Sequence, residues 1–315
     1  MKIISPCSLK QFGILGINSR NRDYIARYNK RKYYPYVDDK LKTKLLADVH
    51  GIPVPALKSI IRTQHDINLL DPVLSELNGF AVKPSRGSGG KGIWIIKEQK
   101  NGNFIKSSGA VISKNDFKRH LSNIVAGLYS LNGSPDVVIV EDIIRISSVF
   151  SDYSYEGVPD IRIIVFKGYP VMAMLRLATK VSDGKANLHQ GAVGVGIDIA
   201  TGSAVNAVWF SKTITRHPDS NNDIRNIKIP GWKKILELAS GCYEMSGLGY
   251  IGADIVIDKS KGAQLLELNA RPGLSIQVAN GAGLIPRLKL IESVQMPFSS
   301  KEERVKFSIK NFSNY

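Results

Sequence analysis

The stretch Leu265–Gly273, LLELNARPG, decides how this chain is read. Its leucines predict a buried strand, and Arg271-Pro272-Gly273 ends it. Side chains of a strand alternate between its two faces. By that rule Leu265, Glu267 and Asn269 share one face, and Leu266, Leu268 and Ala270 the other. A carboxylate and a carboxamide side by side on an otherwise apolar strand call for a partner.

The segment GYIGADIVID, residues 249–258, supplies one. It reads as a strand with Asp254 on one face and Ile255 and Ile257 on the other. If residues 258–263 form the turn between the two strands, Asp254 lies directly opposite Glu267. Like charges directly opposite destabilise a sheet, and burial worsens this unless a proton or a cation intervenes. With Asn269 the set offers only oxygen ligands, which suit Mg²⁺, commonly bound by one or two carboxylates together with substrate phosphates. The competing reading is a structural salt bridge from Glu267 to Arg271 or another base, which leaves Asp254 and Asn269 unexplained.

Upstream, VKPSRGSGGKGIWII (82–96) holds Gly87, Gly89, Gly90 and Gly92. Glycines let a backbone approach a ligand closely, and successive N–H groups can cradle phosphate. The loop runs from strand to strand, so it is not a dinucleotide fingerprint. Gly92 follows Lys91 where a Walker A sequence needs Ser or Thr. A glycine-rich flap over nucleotide phosphates remains, as in protein kinases, but the kinase HRD and DFG sequences are missing from the chain. The plainer alternative is a flexible hairpin turn.

Around these segments, residues 37–50 read as a helix, with Leu41, Leu45 and Val49 repeating on one stripe and Lys40 and Lys44 together on another. Residues 115–130 read as a second helix, with Phe117, Leu121, Ile124, Val125 and Leu128 inward and Ser113 and Asp116 as a capping box. Strands are expected at 80–83, 93–96, 137–140, 161–166, 171–175, 192–199 and 251–257, and a helix at 231–245. Residues 206–229 read as irregular, and the charged tail from Pro297 as loosely held. The strands come in hairpins, so the fold class is α+β with antiparallel sheets.

Of 315 residues 43% are hydrophobic, enough for a large core. No apolar run reaches the ~18 residues of a membrane span. The first residues do not resemble a signal peptide, and Cys7 and Cys242 make no disulfide framework, so the expected setting is cytoplasmic. The formal charge is +16. It admits nucleic acid, an anionic surface or anionic small molecules as partners, or simply a solvated basic surface. Basic residues are densest from Arg20 to Lys44, interleaved with Tyr24, Tyr28, Tyr33, Tyr34 and Tyr36. Such a stretch can stack on bases or pack as an ordered arm on a lobe; the arm is the preferred reading.

Taken in order, VKP and its glycine loop, VEDII (140–144), DIR (160–162), ANLHQGA (186–192), GADI (252–255) and ELNARPG (267–273) resemble the ATP-grasp superfamily of carboxylate–amine ligases. Within it they are most similar to RimK-related α-L-glutamate ligase-like proteins. The resemblance runs from about Asp38 to Gly283. It implies two α+β lobes clasping ATP between them, with an arm over 1–36, an N-terminal lobe over 37–142, a C-terminal lobe over 143–296 and a tail over 297–315. It implies that Lys40 and Lys83 contact phosphates, that the loop with Ser88, Gly89 and Gly90 covers them, and that Glu141, Asp142 and Ile143 hold adenine. Asp160 would hold the ribose, with Lys185 and Asn187 near the nucleotide. Asp254, Glu267 and Asn269 would bind Mg²⁺, or Mn²⁺ in its place, and Arg176 would face the transferred phosphate. His189 and Arg271 are candidates for binding or proton transfer near the acceptor. RimK-type ligases carry a fuller domain before the first ATP lysine, and here the basic arm stands in that position. The implied activity joins a small-molecule or peptide carboxylate, such as glutamate, to an amine through an acyl phosphate. The reading from another class is a catalytically silent nucleotide-binding module whose basic surface takes RNA or an acidic partner.

Overall fold

The computed structural model describes residues 6–87, 89–130, 133–296 and 298–313. The chain divides into two compact units. One comprises Asp39–Leu45 and Val54–Arg145; the other comprises Met1–Asp38, Leu46–Pro53 and Ile146–Tyr315.

The first unit is built on a six-stranded antiparallel sheet. Its strands are β1 (Leu57–Ile61), β2 (Phe80–Pro84), β3 (Trp94–Lys100), β4 (Asn103–Lys106), β5 (Val111–Ile112) and β6 (Val138–Asp142), in the order β1-β6-β2-β3-β4-β5. Ala81 pairs with Glu141 and Val82 with Val140, so the alternation of β2 and β6 divides cleanly. Phe80, Val82, Val138 and Val140 join Phe117, Leu121 and Ile124 in one buried cluster. Lys83 and Glu141 share the opposite face. The Lys114–Val125 helix starts at Ser113, whose hydroxyl accepts from Asp116 N–H, as its sequence predicts. The helix ends earlier than its apolar pattern, and Leu128 is exposed.

The helix expected over 37–50 is interrupted at Asp39. A short Pro35–Asp38 turn precedes it and the main helix runs Lys40–Val49. The Asp39 carboxylate accepts from Leu41 and Lys42 N–H at 3.1 and 3.2 Å, which caps the new start. The buried stripe also differs from the expected one. Leu41, Lys44 and Ala47 are buried, whereas Leu45 and Val49 are 52% and 80% exposed. A charge partner for Lys44 outranks the apolar repeat.

The second unit carries a seven-stranded antiparallel sheet. Its strands are β7 (Asp160–Phe166), β8 (Tyr169–Leu177), β9 (Val193–Ile197), β10 (Ala204–Trp209), β11 (Lys212–Thr213), β12 (Tyr250–Asp258) and β13 (Gly262–Asn269), in the order β11-β10-β9-β8-β7-β12-β13. Residues 206–229, expected to be irregular, thus supply most of β10 and all of β11. One face of the sheet is apolar across β8, β7 and β12, with Ile161, Ile163, Leu175, Ala253 and Ile255 all buried. The Trp232–Ser246 helix lies against β7, β8, β12 and β13 through a buried stripe that includes Ile235, Leu236, Ala239 and Cys242.

The tail is ordered rather than loose. Ser300 and Glu303 form a capping box, and a helix runs Lys301–Asn311 against β8 and the Trp232–Ser246 helix. Its anchor is Arg304, 3% exposed, which donates to Glu244 at 2.6 Å, Gly168 O at 3.2 Å and Ser299 O at 3.0 Å. An arginine facing inward looks like a solvated residue in sequence, which hides this helix. No helix among the described residues is long and apolar enough to cross a membrane.

His120 is a second buried polar anchor, in the first unit. Its ring stacks on Trp94 at 3.7 Å and 2°, its Nε2 lies 3.0 Å from Gly92 O, and the Tyr129 hydroxyl lies 3.4 Å from Nδ1. Burial pushes its pKa down to about 4. The unfolded histidine gains a proton near pH 6.5 while the folded one stays neutral, so stability must fall as pH drops below 6.5. The Tm advantage of the wild type over His120→Gln is therefore expected to shrink by a few degrees between pH 7 and 5 in thermal melts. Parallel Tm curves for the two proteins would contradict this assignment.

Candidate active site

Two buried charge clusters stand out, one in each unit. In the six-stranded unit, Glu141 is 2% exposed and ion-paired to Lys83 at 2.6 Å and Lys44 at 2.7 Å. Lys44 also donates to Pro55 O at 2.6 Å. Burial drives the Lys44 pKa down to about 8 in spite of Glu141. Burial also pushes the Glu141 carboxyl up, but Lys83 and Lys44 outweigh it and hold it below its ordinary value. Two cations and one anion leave this cluster with an excess positive charge away from water, which only a further anion balances well.

The glycine loop leaves from the end of β2. Lys40 Nζ donates to Gly87 O at 2.7 Å, and Lys40 N–H donates to Ser85 O at 2.9 Å. The Ser85 hydroxyl hydrogen-bonds Asp39. Lys40 therefore stands at the root of the loop, and Lys83 lies on the strand that leads into it. Gly89 and Gly90 are exposed with φ of 64° and 77°, a conformation that favours glycine. Ser88 lies outside the described residues. Asp142 pairs with Lys58 at 3.0 Å, and Ile143 is half-buried where β6 ends.

In the seven-stranded unit, the face opposite the apolar one gathers the remaining candidates. Asp254 pairs across the sheet with Arg162 on β7 and with Glu267 on β13, and Asp160 pairs with Arg176 on β8. The Arg162 fork donates to both Asp254 oxygens, at 2.7 and 2.6 Å. Arg176 donates to Asp254 Oδ2 at 2.8 Å and forks onto Asp160. Burial pushes both carboxyls up. At Asp254 the two guanidiniums outweigh it and hold that carboxyl below its usual range, whereas Asp160, beside the Asp254 charge, stays above.

The expected register holds for a reason that the sequence does not disclose. Asp258 pairs with Gly262, so the turn is one residue shorter than expected, and Asp254 meets Glu267 only because a bulge falls between Leu265 and Glu267. Cross-strand partners share a face. Leu265, paired with Ile255, therefore lies on the apolar face with Leu268, not on the face of Glu267. A bulge that re-aims a side chain beside a site is a recurrent device.

The donor chemistry on this face fits a hard divalent cation in part. Glu267 is half-buried and has no hydrogen-bond or ion-pair partner among the described residues. Asn269 directs its Nδ2 at Asp254 Oδ2, at 3.2 Å, which leaves its amide oxygen available. Asp254, in contrast, has both oxygens engaged by Arg162, Arg176 and Asn269. The described residues gather no group of three or more His, Cys, Asp or Glu side chains. Arg162, two residues after Asp160 on the same strand and so on the same face, reads from sequence as slightly more a substrate or phosphate anchor than a core residue; here its fork is engaged by Asp254.

Other candidates stand apart from this network. Lys185 is exposed and pairs with Asp183 at 3.4 Å. Asn187 caps a short turn by accepting from His189 N–H at 3.0 Å, and the His189 side chain is exposed. Arg271 is exposed, its guanidinium 5.5 Å from the centroid of the Tyr34 ring. A cavity of about 660 Å³ in the same unit, lined in part by Ile52, Lys234, Leu238, Lys261 and Lys301, contains none of the candidate residues.

The two antiparallel sheets, one in each unit, and the ordered motifs are those of an ATP-grasp protein. The model of the family described as sugar-transfer associated ATP-grasp matches residues 19–293, and the chain belongs to that family. A search of curated proteins found no match. Among solved structures, the chain is similar to the ATP-grasp ligase PsnB with its minimal precursor, at 14% identity and a TM-score of 0.46, over 83% of this chain and 60% of that one. It is also similar to D-alanyl-alanine synthetase A of Vibrio cholerae, at 12% identity and a TM-score of 0.48, over 89% and 67%. The D-alanine–D-alanine ligase of Bacillus anthracis with ATP gives 15% identity and a TM-score of 0.44, over 88% and 66%. The chain thus spans about 60% of the length of the first of these.

Removing one partner of a buried ion cluster strands the others. Glu141→Gln is expected to destabilise the six-stranded unit by ~3–5 kcal/mol in urea denaturation. The double variant with Lys44→Met should recover much of that loss, because it removes the second stranded cation. A neutral Glu141→Gln would contradict the charge balance described for the cluster.

Proposed function

We propose that this protein is an ATP-dependent ligase that joins a carboxylate to an amine. The observation that carries the reading is the Asp254–Glu267 pair, two acids directly opposite on a half-buried face with Glu267 unpartnered. Among Asp160, Arg162, Arg176, Asp254 and Glu267 the acids exceed the bases by one, whereas Lys44, Lys83 and Glu141 carry an excess positive charge. A cation at the first and phosphate near the second would balance both. Membership of an ATP-grasp family supports the same assignment.

In the proposed reaction a carboxylate oxygen attacks the γ-phosphorus of ATP, the β,γ-bridging P–O bond breaks, and ADP leaves. The amine nitrogen then attacks the acyl carbon, the C–O bond to phosphate breaks, and the amine proton passes to solvent or a base. Lys40 and Lys83 take phosphate oxygens, with Glu141 holding Lys83 in place. Asp142 and Ile143, after Glu141, take adenine, and Asp160 the ribose side. Glu267 and Asn269, with Asp254 shared between cation and arginines, would hold Mg²⁺ or Mn²⁺. Such an ion would supply positive charge to offset the phosphate charge that develops in transfer. Arg176, fixed by two carboxylates, places a charge beside the transferred group. The glycine loop excludes water from the acyl phosphate, which otherwise hydrolyses.

For substrates, the likeness of ELNARPG and ANLHQGA to α-L-glutamate ligase-like proteins supports an amino acid such as glutamate. The family's description, sugar-transfer associated, is the reason to offer amino and acidic sugars beside amino acids. The full-length chain is expected to release ADP from Mg²⁺–ATP when offered pools of amino acids and amino or acidic sugars. Glu267→Gln should lower that turnover on the order of 100-fold with unchanged circular dichroism and Tm. Absence of ADP release with every pool, alongside tight RNA binding with a steep salt slope, would favour the silent module instead.

A further inference from the structure

The segment that follows Glu267 and Asn269 is not held by its own unit's sheet alone. Each of its next three residues meets a side chain from the N-terminal arm. Asn29, 3% exposed, donates to Ala270 O at 3.2 Å while its amide also pairs both ways with the Tyr250 backbone, at 2.7 and 2.8 Å. The Tyr34 ring lies beside the Arg271 guanidinium, 5.5 Å from centroid to Cζ. Arg20, 8% exposed, donates to Pro272 O at 2.8 Å. Two glycines of β12 and its approach make room for this packing. A Cβ at Gly249 would fall 2.8 Å from Tyr28 Cβ, and one at Gly252 would fall 2.7 Å from Pro272 Cβ. The arm is therefore built into the wall beside the acidic face.

Arg271 is the exposed, unspent charge of that wall. No carboxylate pairs with it among the described residues. A guanidinium that stacks on a ring uses its flat face and keeps its in-plane N–H donors for another group. Those donors match the two oxygens of a carboxylate or of a phosphate. The ring contact also fixes a side chain that would otherwise lose rotamer freedom on binding.

We propose that Arg271, held by Tyr34, docks an oxyanion of the ligase's acid or amine substrate, and that Tyr34 is a positioning residue supplied by the arm. This rests on the ligase reading for the identity of the reaction but not for the docking itself. Arg20 and Asn29 fix the backbone on either side of Arg271, so the orientation of the guanidinium is left to Tyr34.

The test uses the full-length chain and phenylglyoxal, with adduct formation at Arg271 followed by mass spectrometry. Tyr34→Ala should speed the adduct roughly two- to fivefold, the range a surface cation–aromatic contact corresponds to. Tyr34→Phe, which keeps the ring, should match the wild type. In the presence of Mg²⁺ and a non-hydrolysable ATP analogue, L-glutamate or inorganic phosphate should slow the wild-type adduct. Protection by glutamate assigns a carboxylate, and protection by phosphate alone assigns a phosphorylated substrate. Equal adduct rates in Tyr34→Ala and wild type, or protection by neither anion, overturns the proposal. With an acid and amine pair that supports turnover, Tyr34→Ala should raise KM for one of them by a similar factor and leave KM for ATP within about twofold. An equal rise in both KM values also overturns it. A chain that turns over no substrate yet shows the labelling pattern refutes the ligase reading and leaves the docking site standing.

Discussion

The paired hydrogen bonds from the Arg162 fork to Asp254 are the interaction on which the polar face depends. A carboxylate this deeply buried would take up a proton if left alone. Arg162 from β7 and Arg176 from β8 keep it charged, and Asp160 in turn keeps Arg176 in place. The result is a row of fixed charges running across β8, β7, β12 and β13. The other face of the same strands is apolar and packs on a helix, so the row cannot shift without disturbing the core.

The six-stranded unit repeats this logic with the sign reversed. Lys83 leaves the apolar side of β2 by strand alternation, and Lys44 is turned inward beside Leu41 from a helix whose Leu45 and Val49 face solvent. Glu141 holds both. The two units thus each bury a charge imbalance, positive in one and negative in the other. Structural ion clusters are usually balanced within themselves, because an uncompensated buried charge is costly.

Much of this was legible in the sequence where local pattern and global need agree. The strand at FAVK, the hydroxyl cap at Ser113 and the antiparallel hairpin of β7 and β8 each follow from short-range rules, and the structure follows them, although Asp116 does not complete the capping box by accepting from the Ser113 N–H. The acids on β12 and β13 could be set opposite one another from spacing alone, but the spacing misjudged the route. A bulge at Leu266 restores the pairing that a shorter turn would have broken, and it moves Leu265 to the apolar face. Bulges leave no mark in hydrophobic periodicity. Lys44 and Arg304 escaped for a shared reason. A buried basic side chain looks like a solvated one until its partner is located, and the partners, Glu141 and Glu244, are distant in sequence. The pairing of Arg162 with Asp254 was hidden in the same way. The arm's role was equally hidden, since contacts from Asn29, Tyr34 and Arg20 to residues 270–272 cross more than two hundred positions.

Anomalous scattering from crystals grown with Mn²⁺ and a non-hydrolysable ATP analogue tests the central claim most directly. The account predicts a manganese peak within coordination distance of Glu267 and the Asn269 amide oxygen, with Asp254 keeping at least one bond to Arg162 or Arg176 and the phosphates bound at the same ion. A nucleotide bound with no manganese at Glu267, or manganese bound elsewhere on the chain, would contradict it.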